Sequence, residues 1–264
     1  MRLTPHRTDD KRSTIIQSLQ PDTTSISRAA DNKRVAIVQS NYIPWKGYFD
    51  LIDSVDEFII LDTVQFTRRD WRNRNTIKTQ QGLRWLTIPV MSKGRYHQRI
   101  CDTSIATAEW NKKHWDTIKH AYTGAPHFQE YSRPIEDLYA SATFDKLSSI
   151  NLHFINGFCH LLGITTPIIS ADNYDDAQGK TNRLVHLCKQ ARATEYVSGP
   201  SARQYLQTEA FTNEGLQVSW FDYNNYVEYS QHCPPFTHNV SLIDLLFQTG
   251  DASLRMIRTR TVEK

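Results

Sequence analysis

The chain has 264 residues, 39% of them hydrophobic, and its 31 Lys and Arg against 28 Asp and Glu leave a formal net charge of +3. That length buries one large core, or one core with a small appended lobe. No stretch approaches the roughly 20 apolar residues that a membrane span needs, and the first 33 residues hold no apolar run longer than Ile15-Ile16, so the reading is a soluble, cytoplasmic protein without a signal peptide.

Residues 1–33 are polar and aperiodic and read as a disordered N-terminal extension. Arg34 to Gln39 then reads as a buried strand, Lys46 to Val55 as a helix with Phe49, Leu51, Ile52 and Val55 on a common side, and Phe58 to Leu61 as a second strand. Strand, helix and strand within roughly thirty residues make a βαβ unit, whose crossover implies parallel pairing. "NRNTIKTQQGLRWLTIPVM" reads as two strands joined at Gln80-Gln81-Gly82, part of a β-rich excursion that runs to Ile105. Trp110 to Tyr122 and Ile135 to Leu162 follow as helices. Alternation then returns: "TTPIISA" as strand, "KTNRLVHLCKQARA" as helix, "EYVSG" as strand, "PSARQYLQTEAF" as helix, "LQVSWFDY" as strand and "SLIDLLFQTG" as helix. The fold class is α/β, a largely parallel sheet flanked by helices with an inserted basic, β-rich and helical segment in the first half. The domain spans 34–250, and 251–264 form a basic C-terminal tail.

Candidate chemistry clusters at strand ends. Ligands of open parallel sheets bind outside the carboxyl ends of the strands, and Gln39 to Trp45 is such a loop. The amides of Gln39 and Asn41 and the phenol of Tyr42 could orient a polar ligand, Trp45 could wall it, and Gly47 opens the next helix near an anion. A packed loop that plugs the sheet end accounts for the same residues equally well. Asp62 closes the second strand on the same edge, where it could hold a ribose hydroxyl, a substrate amine or a metal, or else cap a helix or pair with an arginine.

From Arg68 to Arg99 nine Lys and Arg face the single acid Asp70, so the remainder of the chain is net acidic. "QFTRRDWRNRN" contributes Gln65, Asn73 and Arg74 with Lys78 close behind, a donor density suited to phosphate or carboxylate. Trp71 and Trp85 would suit single-stranded nucleic acid as stacking platforms, and a solvated charged face explains the charge alone. "YVSGPSARQYL" sets Ser198, Gly199 and Ser201 at a helix start with Tyr205 beyond, either an anion nest or an ordinary N-cap. His114, one turn after Trp110, is a candidate general base. No HExxH, GxSxG or Walker motif is present. The cysteines (Cys101, Cys159, Cys188 and Cys233) form no CxxC pair, so neither a disulfide framework nor a metal site is expected.

"VQSNYIPWKGYFDLI", "DTVQFTRRDWRNRNTIK", "WLTIPV", "WNKKHWDTIKHAYTGAPHF", "YVSGPSARQYL" and "SLIDLLFQTG" together resemble the WbqC-like family from about Val35 to Gly250. Ser40 departs from the pattern, since the family usually has Pro after the Gln, which implies a less rigid loop. The resemblance implies a transferase of bacterial surface-polysaccharide (O-antigen type) synthesis, with glycyl or aminoacyl transfer to an amino sugar or nucleotide-sugar as the suggested reaction. It points to Gln39, Asn41, Tyr42, Trp45, Gly47, Asp62, Gln65, Trp71, Asn73, Arg74 and Lys78, with His114, Ser198, Gly199, Ser201 and Tyr205 behind them. The reading that follows makes Asp62 and His114 catalytic and the others substrate-binding. The partner is an anionic small molecule, a nucleotide-linked sugar or an activated acyl donor, with no nucleic acid expected. Two alternatives stay open: a magnesium-dependent nucleotidyl transferase or ATP-dependent ligase of HIGH-like α/β fold, and a non-catalytic binder of glycan or nucleic acid.

Overall fold

The computed structural model describes residues 32–258. The expected extension lies outside the described residues except for Asn32 and Lys33, as do the last six residues of the tail. In chain order the first half comprises β1 (Arg34–Val38), α1 (Lys46–Asp53), β2 (Glu57–Ile60), β3 (Arg74–Thr79), β4 (Gly82–Thr87), α2 (Trp110–Tyr122) and α3 (Phe128–Ser141). It continues with α4 (Leu147–Leu162), β5 (Ile168–Ser170), α5 (Lys180–Gln190), β6 (Glu195–Ser198), α6 (Thr208–Thr212), β7 (Gln217–Trp220), α7 (Leu242–Thr249) and α8 (Ser253–Ile257).

Five strands pair in the order β5-β2-β1-β6-β7, every pair parallel. The chain runs outward from β1 through β2 to β5, then returns to the far side of β1 for β6 and β7. β1 and β6 therefore flank the point where the connections diverge, with Val35 opposite Tyr196, and the crevice at their carboxyl ends is the expected ligand position.

The apolar runs of these strands are continuous because both sheet faces are covered. Val35 and Ile37 of β1, with Ile59 and Leu61, join Leu187 and Phe211 on one face. Ala36, Phe58 and Ile60 join Phe49, Phe154, Phe158 and Leu246 on the other. The two-residue alternation of a strand thus divides the core into two layers. β3 and β4 form a separate antiparallel hairpin, with Thr79 opposite Gly82, on the second of these faces through Ile77 and Leu86. Gly82 has φ of 103°, a conformation that glycine adopts without Cβ strain.

Three expected elements differ. The helix read from Ile135 to Leu162 is two helices, broken at residues 142–146. The segment from Pro200 to Phe211 forms a 3-10 turn, Pro200–Gln204, and the five-residue α6. The expected tail begins in structure: α8 buries Ile257, and Arg258 pairs with Asp53 at 2.7 Å. Among the described residues no helix is long and apolar enough to cross a membrane.

Candidate functional site

The loop after β1 is held from behind by a buried carboxylate. Asp62, 2% exposed, accepts from the Ser40 backbone N–H at 2.8 Å and from Ser40 Oγ at 2.6 Å, and Ser148 Oγ donates to it as well. Asn151 Nδ2 donates to Ser40 Oγ at 2.9 Å and to the Arg72 carbonyl at 2.8 Å. Charge-assisted bonds of this kind are the stronger ones. A proline at position 40 would lack the N–H that Asp62 receives, so Ser40 ties the loop down rather than loosening it. Asp62, expected as a catalytic group, has its carboxylate bonded to three donors inside the protein.

The side chains expected to greet a ligand divide in the same way. Arg72 donates to Gln39 Oε1 at 3.3 Å and to Asn41 Oδ1, and lies 3.7 Å from Asp70. Tyr42 is fully buried, packed edge-on to Trp110 and Phe154, with its hydroxyl 2.8 Å from His114 Nδ1 and 2.9 Å from the Tyr139 hydroxyl. Tyr42, expected at the ligand, thus lies in the core with its hydroxyl bonded inside the protein. Burial pushes its phenol well above the usual range. Burial also lowers the His114 imidazole to about 4, against a hydrogen bond with the Thr87 backbone. The ring is therefore neutral at pH 7, 9% exposed, and not positioned as a solvent-facing base. Trp45 lies over Gly47, where a Cβ would sit 2.4 Å from a ring carbon. That close approach explains the glycine without an anion at the helix start.

The basic hairpin behaves differently. The exposed indoles of Trp71, just before it, and Trp85 pack tilted by 34° with centroids 5.5 Å apart, and the Arg74 guanidinium carbon lies 4.1 Å from the Trp85 centroid. Beside them runs a groove of about 560 Å³ whose polar lining is Arg68, Arg69, Asn73, Arg74, Thr87 and Ser92. Phe66, Ile88, Pro89 and Val90 complete it, and no Asp or Glu is among the lining residues. Arg68 Nε donates to Ser92 Oγ at 3.2 Å and Arg74 Nη2 donates to the Arg69 carbonyl. Asn73 Nδ2 donates to the Ile88 carbonyl at 2.9 Å, while its Oδ1 and the Arg74 Nε have no hydrogen-bond partner among the described residues. Three guanidinium groups without a counter-ion in the groove suit a compact anion.

Lys78 does not share this groove. It is 3% exposed and its ammonium donates to the Pro235 carbonyl, because residues after Tyr229 cover that stretch of β3. Gln65 donates to the Tyr96 carbonyl at 2.8 Å and holds a neighbouring loop. A second, smaller cavity of about 230 Å³ is lined by Asn41, Pro44, Trp45, Trp71, Asn75 and Asn239. It joins the β1–α1 loop to the hairpin and to the irregular 222–241 segment.

The β6 loop meets the β1–α1 loop through Tyr223, which lies 5.3 Å from Trp45 and beside Gly199. No α-helix starts at the anion nest expected there. Ser198 is 4% exposed with its hydroxyl 3.4 Å from the Tyr196 phenol, and the 3-10 turn that follows is too short to carry a helix dipole. Ser201 and Tyr205 are exposed, and neither cavity is lined by any of these four residues.

Sequence reasoning missed Lys46. Its ammonium lies 5.0, 5.2 and 5.9 Å from the ring centroids of Tyr226, Tyr229 and Phe236 and donates to the Val227 carbonyl at 3.3 Å. Burial lowers it to about 8, opposed by Asp244 and Glu228. The available signal was the density of aromatics in "YNNYVEYSQHCPPF", which reads as a loop because it has no period. Among the described residues no three His, Cys, Asp or Glu side chains group so as to hold a metal ion.

Residues 39–256 match the WbqC-like protein family. "Uncharacterized protein Rv1507c" of Mycobacterium tuberculosis is 51% identical over 218 residues, which cover 83% of this chain and 94% of the relative. No solved structure matches the chain. With a family match over most of its length and a relative at that identity, the chain belongs to the WbqC-like protein family.

Proposed function

We propose that the protein is a transferase of bacterial surface-polysaccharide synthesis that holds a nucleotide-linked sugar or a phosphate-bearing acyl donor by its anionic part. The observation that carries this reading is the acid-free groove of Arg68, Arg69 and Arg74 beside the exposed Trp71–Trp85 pair. The guanidinium forks neutralise and orient the phosphate, and an exposed indole offers a base a stacking face. The family resemblance supplies the pathway class. On this reading Asp62 and His114 act through the loop and the hairpin they support, and an acceptor amine is deprotonated by solvent or by a group of the substrate.

A second reading, binding without turnover, is favoured by the burial of both candidate catalytic groups. Mass spectrometry of small molecules retained on the purified protein identifies the donor, and incubation with that donor and an amino sugar tests the reaction. A new acylated or glycosylated sugar upholds the transferase. Saturable retention with no product under any acceptor favours the binder, retention of no anion defeats the transferase, and retention of no ligand at all defeats both.

A further inference from the structure

The smaller cavity differs in chemistry from the arginine groove. No charged side chain lines it, and its walls are two indoles, a proline and three carboxamides. At about 230 Å³ it falls below the roughly 300–1,000 Å³ of sites for drug-sized ligands, so it accommodates a single ring.

Hydrogen bonding inside the protein leaves the cavity rich in donors. Asn75 is committed on both sides: Nδ2 donates to the Tyr42 and Ile43 carbonyls at 3.1 and 2.9 Å, and Oδ1 accepts from the Thr76 N–H at 2.8 Å. Asn41 Oδ1 is taken by Arg72. The Asn41 NH₂, the Asn239 side-chain amide and the indole N–H groups of Trp45 and Trp71 make no hydrogen bond among the described residues. Asn239 Oδ1 is then the one side-chain carboxamide oxygen of the lining left without a partner. A nucleobase edge alternates donors and acceptors and is read by an amide with both ends open, which Asn239 alone provides. Hydroxyl and ring oxygens accept from every group on offer, and each hydroxyl rotates to suit.

We propose that this cavity is a subsite for one neutral pyranose ring. Its oxygens accept from Asn41, Asn239 and the indole N–H groups, and its C–H face lies on Trp71, which is 43% exposed and backed by Trp85. The proposal deepens the sugar half of the proposed function and rests on that reading for the identity of the ring.

Tryptophan-emission titrations with an uncharged methyl pyranoside, with adenosine and with a nucleoside diphosphate test it on the full chain. The pyranoside is expected to give a saturable change in the millimolar range. Asn239→Ala and Trp71→Leu are exposed substitutions that leave the melting temperature in place, and each is expected to weaken pyranoside binding at least about fivefold, the order of one lost hydrogen bond or packing face. Saturation by adenosine with pyranosides silent makes the cavity a base site and overturns the proposal, as does the absence of saturation by either probe. Pyranoside binding that survives both substitutions overturns it too. Adenosine reports the base by itself, so a response to the nucleoside diphosphate beyond that to adenosine reads the arginine groove, and no such response together with saturable pyranoside binding sinks the proposed function and upholds this subsite.

Discussion

Two polar regions adjoin in this molecule and handle their polar groups in opposite ways. Behind the β1–α1 loop, Ser40, Asp62, Ser148 and Asn151 are joined to one another, and Tyr42, His114 and Tyr139 form a second buried chain. Along the hairpin, Arg68, Arg69 and Arg74 line a groove with no acid in it. The difference is one of charge: the loop's carboxylate is answered inside the protein, whereas the guanidinium groups of the groove meet no acid among its lining residues, and on the proposed reading the first is scaffold and the second the ligand site. Both regions belong to the stretches that carry the family resemblance, so motif membership does not separate the two roles.

The comparison breaks most visibly at Tyr42. Tyr42→Ala is expected to cost roughly 3–5 kcal/mol, the range for truncating a buried aromatic, because the ring is fully enclosed. Urea unfolding reads it. A loss below about 1 kcal/mol would mean that the ring is free to leave the core. Asp62→Ala should follow at about 3 kcal/mol, since it strands three donors of Ser40 and Ser148 without an acceptor. A variant that keeps the wild-type unfolding midpoint but loses turnover would return Asp62 to catalysis.

Acid sharpens the same contrast. The folded His114 ring titrates at about 4 against 6.5 for a free imidazole. Between these values the unfolded chain binds a proton that the folded ring refuses, so this contribution is present above pH 6.5 and is lost as pH falls toward 4. The expected loss is about 3 kcal/mol at 1.36 kcal/mol per unit. Unfolding free energy measured across that window should have a shallower slope in His114→Gln than in the wild type. Equal slopes would show that the imidazole is not held neutral by the core.

The sheet was legible in the sequence because its strands are short apolar runs bounded by turns, and β1, β2, β5, β6 and β7 fall where those runs lie. Trp110 to Tyr122 was legible to the residue because its apolar positions keep one face and a Gly-Ala-Pro stop follows closely. Pro200 to Phe211 was not, because a proline-led start with helix-forming residues looks the same whether a turn or a helix follows. Of the site, the sequence located the arginine cluster and both tryptophans. It could not say which way side chains point: Lys78 lies four residues along β3 from Arg74 on the same strand face, yet the 222–241 segment covers one and leaves the other to the groove. That covering is tertiary, and the segment has no period to announce it. Asn239 was illegible for the same reason.

The smallest expected effect on stability belongs to the groove. Arg74→Ala removes a guanidinium that faces no acid there but lies on Trp85 and bonds the Arg69 carbonyl, so its unfolding free energy should fall by only about 1 kcal/mol.

The most direct measurement is calorimetric titration of a nucleotide-linked sugar into the wild type and into the Arg68→Ala, Arg74→Ala double variant, each with its thermal melt. Loss of two charge-assisted contacts at roughly 1.5–3 kcal/mol each predicts binding weakened by more than tenfold, while the double variant still melts in one cooperative transition. Unchanged affinity in a folded double variant would contradict the assignment of the arginine groove as the ligand site.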